Sequence, residues 1–395
     1  MRFLTAGESH GPQLTVIVDN VPAGVLVSVD KINHQLSRRQ VGFGRGGRMS
    51  IEKDKVQILS GVRFGKTTGG PVTMVIENRD FKNWESVFSI EGEVTSEAKE
   101  KRFMLPRPGH ADLAAYYKYD LDDLRDALER SSARETAARV AAGALAGQFL
   151  NALGMKTMSY VARLGGLSIQ SDSIPEGIDE LMALVESNDL RAPLSDECLE
   201  RWRSHVQSAR KEGTTLGGDV VVRVDGVMPG LGSYVQWDRK LDGQLAQAVM
   251  SVQAVKSVSI GLGVEGGLRT GHEFHDAIHP TGGDSELEGA LPVSRPTNRA
   301  GGLEGGVTNG ESLVLTAVMK PISTLLNPLD SVNLETGEAE LAHFERSDVT
   351  AVPACGVVCE AMVNLVLARA VMDKFGGDVM SDIQAACVHY KNRLR

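Results

Sequence analysis

Alternating apolar and polar residues mark several strands along the chain. The segments VTMVIEN (72–78), GDVVVRVDGV (218–227) and SLVLTAVMK (312–320) follow the two-residue period of half-buried strands. This period is typical of antiparallel sheets that cover a core with one face. Two of these strands follow glycine-containing turns, in TTGGPVTMVIEN and VTNGESLVLTAVMK. The repeated pattern indicates a duplicated unit, so we expect internal pseudo-symmetry.

Apolar residues at three-and-four spacing predict helices at 28–40, 133–152, 240–255 and 361–377, the last ending at a glycine. Helices and antiparallel strands together predict an α+β fold. The polar segments at 86–102 and 189–215 lack sustained periodicity, and we expect both to be surface excursions. Because no low-complexity linker divides the chain, we predict a single domain over residues 1–395.

The bulk composition is typical of a soluble globular protein. The 395 residues are 42% hydrophobic and 24% charged, and no apolar run reaches the roughly 18 residues that would span a bilayer. The first residues lack the charged, apolar and small-residue regions that follow one another in a secretory signal, so we expect a cytoplasmic location without membrane contact. The cysteines are too few and too irregularly spaced for a disulfide framework or a zinc site, and we expect Cys355 and Cys359 to be buried structural thiols.

The charge distribution points to a small anionic ligand. A net charge of −9 opposes binding to nucleic acid, and we expect no such partner. The arginines are nevertheless clustered. One group comprises Arg38, Arg39, Arg45 and Arg48, and a second comprises Arg125, Arg130, Arg134 and Arg139. Locally focused positive charge is suited to a small polyanion.

The glycine-rich segment GFGRGGR (42–48) satisfies Gly-x-Gly-x-x-Gly, but it follows a polar helix rather than a buried strand and lacks an acidic ribose partner. A dinucleotide-binding fold is therefore not indicated. We expect the glycines to let the backbone fold tightly while Arg39, Arg45 and Arg48 converge on carboxylates or a phosphate. A solvated basic loop remains the alternative.

Two histidines lie in glycine-containing turns. His10 in GESHG (7–11) is a candidate proton donor, and the alternative is a turn histidine bonded to the backbone. His110 in RPGHAD (107–112) lies beside Arg107, with Asp112 two residues away and able to orient the imidazole. It is a candidate acid for a leaving phosphate, and a purely structural turn stays equally open.

Ser132 followed by Glu135 in RSSARE predicts a capping box and a helix start. The free N–H groups of that helix, with Arg130 and Arg134, would form an anion site. An ordinary surface N-cap is the alternative.

Other polar segments give weaker signals. The histidines of HEFHDAIH (272–279) lack a metal-ligand pattern, and we expect no metal site. The segments KPIST (320–324) and FERSDVTAVPACG (344–356) could be turn and cap chemistry alone.

Taken in order, GESHG, GRGGRMSIEKD, RPGHAD, RSSARETAARVAAGA, NRAGGLEGG, KPIST and RSDVTAVPA resemble the motif set of the chorismate synthase family, from residue 7 to about residue 355. The resemblance implies a helical layer sandwiched between antiparallel sheets and assembly as a homotetramer. It implies a carbon–oxygen lyase that converts 5-enolpyruvylshikimate 3-phosphate to chorismate and phosphate by 1,4-anti elimination, the last common step of aromatic amino acid biosynthesis. Reduced FMN would be required without net redox change, with NADPH or an external flavin reductase as the source of electrons.

The same resemblance implies roles for single residues. His10 would donate a proton to the reduced flavin, His110 would assist the departing phosphate, and Asp348 would act as a base near flavin N5. The residues implied to bind substrate are Arg39, Arg45, Arg48, Arg107 and Arg134, of which the first two would also contact NADPH. Those implied to bind FMN are Arg130, Ser131, Ser132, Gln253, Ala254, Gly305, Lys320, Pro321, Ile322, Ser323, Thr324 and Arg346. Whether the helix start at 130–134 binds flavin phosphate or substrate stays open.

Two other functions compete with this one. The arginine and glycine clusters alone would permit a phosphoryl transferase without flavin, but the chain lacks the Gly-x-x-x-x-Gly-Lys-Ser/Thr loop. An RNA-binding Arg-Gly module is opposed by the single short occurrence and by the acidic net charge.

Overall fold

The structure is a computed structural model that describes residues 1–45, 53–170, 174–281, 291–345 and 348–394. Arg48 and Arg346, which have predicted binding roles, lie outside the described residues. The strands are β1 (Arg2–Ala6), β2 (Gln13–Asp19), β3 (Val56–Ile58), β4 (Val62–Arg63), β5 (Lys66–Thr67), β6 (Val72–Glu77), β7 (Lys156–Leu164), β8 (Leu167–Ser168), β9 (Gly218–Asp225), β10 (Val255–Ile260), β11 (His279–Pro280), β12 (Val293–Ser294), β13 (Leu303–Glu304), β14 (Val307–Thr308), β15 (Leu313–Met319), β16 (Asp330–Val332) and β17 (Ala339–Leu341). The helices are α1 (Val29–Gln40), α2 (Ser96–Lys101), α3 (Asp112–Tyr119), α4 (Leu124–Ser131), α5 (Thr136–Asn151), α6 (Ile178–Glu186), α7 (Asp196–Lys211), α8 (Leu241–Met250), α9 (Gly271–Phe274), α10 (Val352–Phe375) and α11 (Met380–Arg393).

The first sheet has the strand order β1-β2-β6-β3, with every neighbouring pair antiparallel. On its inner face Val16 of β2 is paired with Met74 of β6, and both side chains are buried. On its outer face the cross-strand pair Leu4 and Ile17 is 61% and 40% exposed. Because successive side chains alternate between faces, the two-residue period of the sequence gives the sheet one apolar inner face.

The second sheet has the strand order β10-β15-β9-β7-β8, again antiparallel. Its inner face joins the main hydrophobic core through residues such as Val222 of β9 and its cross-strand partner Leu315 of β15. Its outer face carries Val221 and Tyr160, which pack against Leu181 of α6 in a separate cluster. Both faces are therefore covered, which explains the nearly continuous valine run of β9.

A helical layer lies between the two sheets. Helix α5 contacts β2 and β6 of the first sheet, α10 contacts β7 and β9 of the second, and the two helices pack against each other. Gly143 makes this close approach possible, since a Cβ built there would lie 2.3 Å from both the Cα and the Cβ of Ala361. The predicted α+β fold with helices between antiparallel sheets is thus confirmed. The expected single domain and its pseudo-symmetry stay predictions.

Helix α10 is longer than predicted, since it begins nine residues before position 361. By length and composition it could cross a membrane, with a mean hydropathy of 1.7, but 83% of its most apolar window is buried inside the protein. It is apolar on all sides because it is surrounded by other elements, among them α5, α8, α1 and the second sheet.

The segment 189–215, which we expected to be a surface excursion, contains a regular element that its sequence pattern did not reveal. It contains the 16-residue helix α7, whose buried face is formed by Leu199, Trp202, Val206 and Ala209. These apolar positions have helical spacing, but the many charged residues between them, on the exposed face, obscure the pattern in the sequence. The segment 86–102 contains only the short, exposed helix α2.

Candidate active site

A cleft of about 730 Å³ opens at one end of the helical layer. Helices α5 and α10 begin beside it, where Thr136 and Ala351 line the cleft, and α1 ends there with Arg39. The positive N-terminal ends of two helices therefore lie next to a buried guanidinium. The volume falls within the range of about 300–1,000 Å³ that is usual for ligand sites.

Most of the predicted site residues line this one cleft. They are His10, Arg39, Arg45, Arg107, His110, Ser131, Ser132, Arg134, Gln253, Ala254, Lys320, Pro321, Ile322, Ser323, Thr324 and Asp348. Arg130 and Gly305 are not among the lining residues. Arg130 donates instead to the backbone oxygens of Thr5 and Gly7, and Gly305 lies in the turn between β13 and β14.

His10 is held against a buried carboxylate. Its Nδ1 lies 2.9 Å from Oε1 of Glu129, its backbone N–H donates to Oε2 of Glu129 at 2.8 Å, and the Glu129 side chain is 0% exposed. The imidazole also packs against the ring of Trp84, with centroids 4.1 Å apart. His10 is thus fixed on two sides and borders the cleft, so a proton at its second nitrogen, Nε2, is the one available to a ligand.

His110 is held by a second buried carboxylate. Asp112 Oδ1 lies 2.5 Å from His110 Nδ1, and the same carboxylate accepts from Arg107 Nε at 2.8 Å and Nη2 at 2.9 Å. Burial would raise the pKa of Asp112, but hydrogen bonds from His110 and Arg107 outweigh it and hold that pKa well below its usual range. Asp112 is therefore ionised, and it orients both a histidine and an arginine at the cleft wall, as the spacing in RPGHAD predicted.

Arg39 and Arg134 converge on Asp54, whose side chain is 0% exposed and lies behind them. Arg134 Nη1 donates to Asp54 Oδ1 at 2.6 Å, whereas Arg39 Nη1 lies 3.6 Å from Asp54 Oδ2 and has no hydrogen-bond partner among the described residues. Burial lowers the pKa of Arg39 to about 9, and although Asp54 opposes this, Arg134 and Arg45 add to it. A bound anion would offset this accumulation of buried positive charge.

The glycine-rich loop joins the same wall through Arg45, whose Nη1 lies 2.8 Å from Asp348 Oδ2. The backbone allows this pairing because Gly44 has a φ of 87° and its oxygen accepts from the N–H of Val349 at 2.8 Å. A Cβ at Gly44 would also lie 3.0 Å from side-chain atoms of Thr350 and Val206. The glycine-rich loop thus brings Arg45 to the cleft wall, and α1 rather than a strand precedes the loop. That Arg45 binds an anion there stays a prediction.

The predicted capping box at the start of α5 is wrong. Ser132 does accept from the N–H of Arg134 at 3.2 Å, but Glu135 does not reach back to it. The Glu135 carboxylate accepts instead from Thr5, Arg139 and Gln253. The sequence has the Ser-x-x-Glu pattern of a capping box, but donors from other parts of the fold compete successfully for the Glu135 carboxylate. In addition, a turn of 3₁₀ helix at Ala133–Glu135 precedes α5.

One apolar part of the cleft wall has the character of a site for a flat heterocycle. Apolar side chains, including Val252, Met319 and Ile322, line it beside Gln253. Gln253 Nε2 donates to Glu135, which leaves its buried Oε1 without a hydrogen-bond partner in the described part of the chain. Next to it Ala254 has a φ of 67°, a strained conformation for a residue with a side chain. An apolar wall with an unpartnered acceptor fits a ring system that carries N–H donors, as a flavin does.

The segment 320–324 closes the cleft against the RPGHAD turn. Lys320 Nζ donates to the backbone oxygen of Gly109, and Thr324 Oγ1 accepts from Arg107 Nη1 at 3.4 Å. Burial lowers the pKa of Lys320, and Lys256 adds to this. KPIST is therefore more than a turn, because it ties a strand end to the residues around His110.

Three important residues were not singled out in the sequence. Glu129 lies in LRDALERS, four residues after Arg125, where it resembles an ordinary helical ion pair. Asp54 ends the motif GRGGRMSIEKD, and Trp84 lies in a polar stretch. Because Asp54, Asp112 and Glu129 lie behind the residues that they hold, the cations and imidazoles face the cleft while the balancing carboxylates are buried.

Metal and thiol chemistry find little support in the part of the chain that the structure describes. No group of three or more His, Cys, Asp or Glu side chains comes together there as a metal site. Cys355 and Cys359 are buried free thiols, as predicted, with Sγ atoms 3.9 Å apart. The hydrogen bond with Cys355 and burial raise the pKa of Cys359, so its thiolate is disfavoured.

Comparisons with known proteins agree over the whole chain. The sequence model of a family described as chorismate synthase matches residues 1–372. A protein named chorismate synthase from Streptococcus uberis is 50% identical over 395 residues, covering 99% of each chain. A protein of the same name from Aquifex aeolicus is 47% identical over 401 residues, covering 100% of this chain and 98% of its own. A crystal structure of chorismate synthase superposes with a TM-score of 0.78 at 38% identity, covering 100% of this chain and 98% of that one.

Proposed function

The chain belongs to the chorismate synthase family, and from this premise we propose how its cleft carries out the family's reaction. As a member it is a lyase of the shikimate pathway, in aromatic amino acid biosynthesis. The proposal is that the cleft binds 5-enolpyruvylshikimate 3-phosphate beside reduced FMN and eliminates phosphate in the 1,4-anti sense to form chorismate.

One observation carries the proposal. Two imidazoles and four arginines border a single cleft, and buried carboxylates hold both imidazoles and at least three of the arginines from behind. The substrate carries a phosphate and two carboxylates, which need several cationic partners in one place. Bidentate arginine pairs supply such partners and also fix orientation.

The arginines divide between two parts of the cleft. Arg39 and Arg134 share Asp54, and Arg45 joins them from the glycine-rich loop. Arg107 stands apart, beside His110 and Thr324. We place the departing phosphate near Arg107 and His110, because an imidazole there can protonate a leaving oxygen, and the carboxylates near Arg39, Arg45 and Arg134. Arg48 is proposed to join Arg39, Arg45 and Arg134 from the family resemblance alone.

Reduced FMN, when bound, supplies transient electron density as phosphate leaves and recovers it as hydrogen departs. The residues proposed to hold it are Ser131, Ser132, Gln253, Ala254 and the segment 320–324. The unpartnered Oε1 of Gln253, within the described part of the chain, and the apolar wall beside it support this side of the cleft. Arg130, Gly305 and Arg346 are proposed for FMN by resemblance only. NADPH, which Arg39 and Arg45 would bind, or an external flavin reductase would supply the electrons that reduce the flavin.

Proton movements are assigned to three side chains. His10 keeps Nδ1 toward Glu129 and presents Nε2 to the flavin, while His110 serves the leaving phosphate. Asp348 is the proposed base, and its ion pair with Arg45 holds its carboxylate at the cleft wall until substrate arrives.

We also propose that the enzyme acts in the cytoplasm as a homotetramer. The exposed cross-strand pair Leu4 and Ile17 on the outer face of the first sheet supports an oligomer, since neighbouring exposed apolar side chains favour contact with a further chain.

The proposed roles are tested with His10→Ala and His110→Ala, assayed without oxygen on pre-reduced FMN. Both variants should fold and bind FMN, yet turnover should fall by about 10²–10⁴, the usual contribution of a general acid. Asp348→Asn should likewise reduce turnover more than FMN binding. Parent-like rates in both histidine variants would sink the proposed roles.

A further inference from the structure

Glu129 makes more contacts with the His10 turn than a simple ion pair would need. Its two oxygens lie 2.9 Å and 3.1 Å from His10 Nδ1, and one of them also accepts from the His10 backbone N–H at 2.8 Å. Its own backbone oxygen accepts from the N–H of Ser9 at 3.1 Å. One buried residue of α4 thus binds the side chain of His10 and the backbone of the turn that carries it.

An ionised carboxylate only accepts hydrogen bonds, so a ring nitrogen between two of its oxygens must carry a proton. The tautomer of the neutral ring is thereby set, with hydrogen on Nδ1 and a lone pair on Nε2. The same negative charge stabilises the imidazolium, in which Nε2 carries the transferable proton. A histidine held this way has one working nitrogen, and it is the nitrogen away from Glu129.

We propose that Glu129 is a positioning residue, which holds the His10 ring in the Nδ1–H tautomer and supplies the counter-charge for its protonated form. This inference rests on the proposed role of His10 as a proton donor in the cleft. It adds to that role the residue through which the fold controls the donor.

The charged groups around His10 are consistent with this assignment. From α4, Arg125 donates to Glu129 at 3.4 Å and to Glu345 at 3.3 Å. Burial would raise the pKa of Glu345, but His343 and Arg125 outweigh it and lower that pKa to about 2. Because Arg125 is shared with an ionised Glu345, its positive charge does not fully offset the negative charge of Glu129. Lys101 Nζ lies 3.6 Å from the centroid of the Trp84 ring against which His10 packs, and Asp80 lines the same cleft.

The test compares Glu129→Gln with Asp126→Asn, a matched removal of one carboxylate charge from the same helix. The first substitution keeps the size of the side chain but replaces one acceptor oxygen by an amide donor, which would face a donor of the His10 turn. We expect kcat with pre-reduced FMN to fall by about 10–100-fold, the usual effect of losing such an orienting partner, with little change in KM. The alkaline limb of the kcat profile should move to lower pH. Asp126→Asn should leave kcat and the profile unchanged.

A second measurement needs no variant of Glu129. In ¹⁵N-histidine spectra of the parent enzyme, with the His10 signals identified by their loss in His10→Gln, the neutral ring should carry its proton on Nδ1. A ring protonated mainly on Nε2 would overturn the proposal even if Glu129→Gln failed to fold. So would a folded Glu129→Gln enzyme with the tautomer and pH profile of the parent. A third outcome separates this inference from the proposed function. If the ring carries its proton on Nδ1 but the His10→Ala variant turns over normally, Glu129 still positions His10, and the proposed role of His10 as a proton donor is rejected instead.

Discussion

At the scale of single residues, neighbouring positions in one helix have different roles. Arg38 and Arg39 belong to one cluster in the sequence, but they leave α1 about 100° apart. Arg39 faces the cleft, whereas Arg38 donates to both oxygens of Glu360 and to Glu186. Burial opposes the charge of Arg38, yet Glu360 and Glu186 outweigh burial and raise its pKa. The sequence predicted the charges but not their partners, because Glu360 is 322 positions away.

The pair therefore allows a matched test. Arg38→Met should lower the free energy of unfolding by about 3–5 kcal/mol, because it leaves Glu360 buried with a weaker partner, while KM for the substrate stays close to that of the parent. Arg39→Met should raise KM by about 10–100-fold, which corresponds to losing one charged hydrogen-bonding partner. Denaturant unfolding and steady-state kinetics measure the two effects. A larger rise in KM for Arg38→Met than for Arg39→Met would contradict the assignment.

At the scale of helices and strands, periodicity predicted which elements form but not always where they begin or what they contact. The strands at 72–78, 218–227 and 312–320 were predicted within two residues at each end. Helix α7 was missed because the charged residues on its exposed face hide the spacing of its four buried apolar side chains. The packing of α5 on α10 depends on Gly143, and no local pattern shows that a second backbone lies against this glycine.

The same substitution at two helical glycines should have opposite effects. Gly143→Ala should destabilise the protein by about 1–3 kcal/mol, since the added methyl would overlap Ala361 and separate the two central helices. Gly243→Ala in α8, where a Cβ meets no described atom within 4 Å, should stabilise it by up to about 1 kcal/mol. Thermal or denaturant unfolding of both variants provides the comparison. Equal effects in the two variants would show that helix propensity alone, and not the α5–α10 contact, determines the result.

At the scale of the whole molecule, the cleft is assembled from segments that are far apart in the chain. His10, Arg107 and Lys320 border one volume although more than 300 residues separate the first from the last. Local chemistry indicated candidate anion-binding and proton-transfer groups around His10 and Arg107, whereas only the family resemblance assigned a role to Lys320 and related all three to one reaction. Neither indicated Asp54 or Glu129, because these carboxylates become distinctive only when the fold places them behind the cleft wall. Asp112, which is buried in the same way, was predicted because it lies only two residues from His110.

The central claim is that this cleft converts 5-enolpyruvylshikimate 3-phosphate to chorismate with reduced flavin. The most direct measurement is anaerobic turnover on dithionite-reduced FMN, following chorismate absorbance and released phosphate, and repeated with oxidised FMN plus NADPH. We expect equal amounts of chorismate and phosphate with pre-reduced FMN, and product in the second assay only if the chain reduces its own flavin. Absence of product in both assays, from a folded enzyme that binds FMN, would contradict the account.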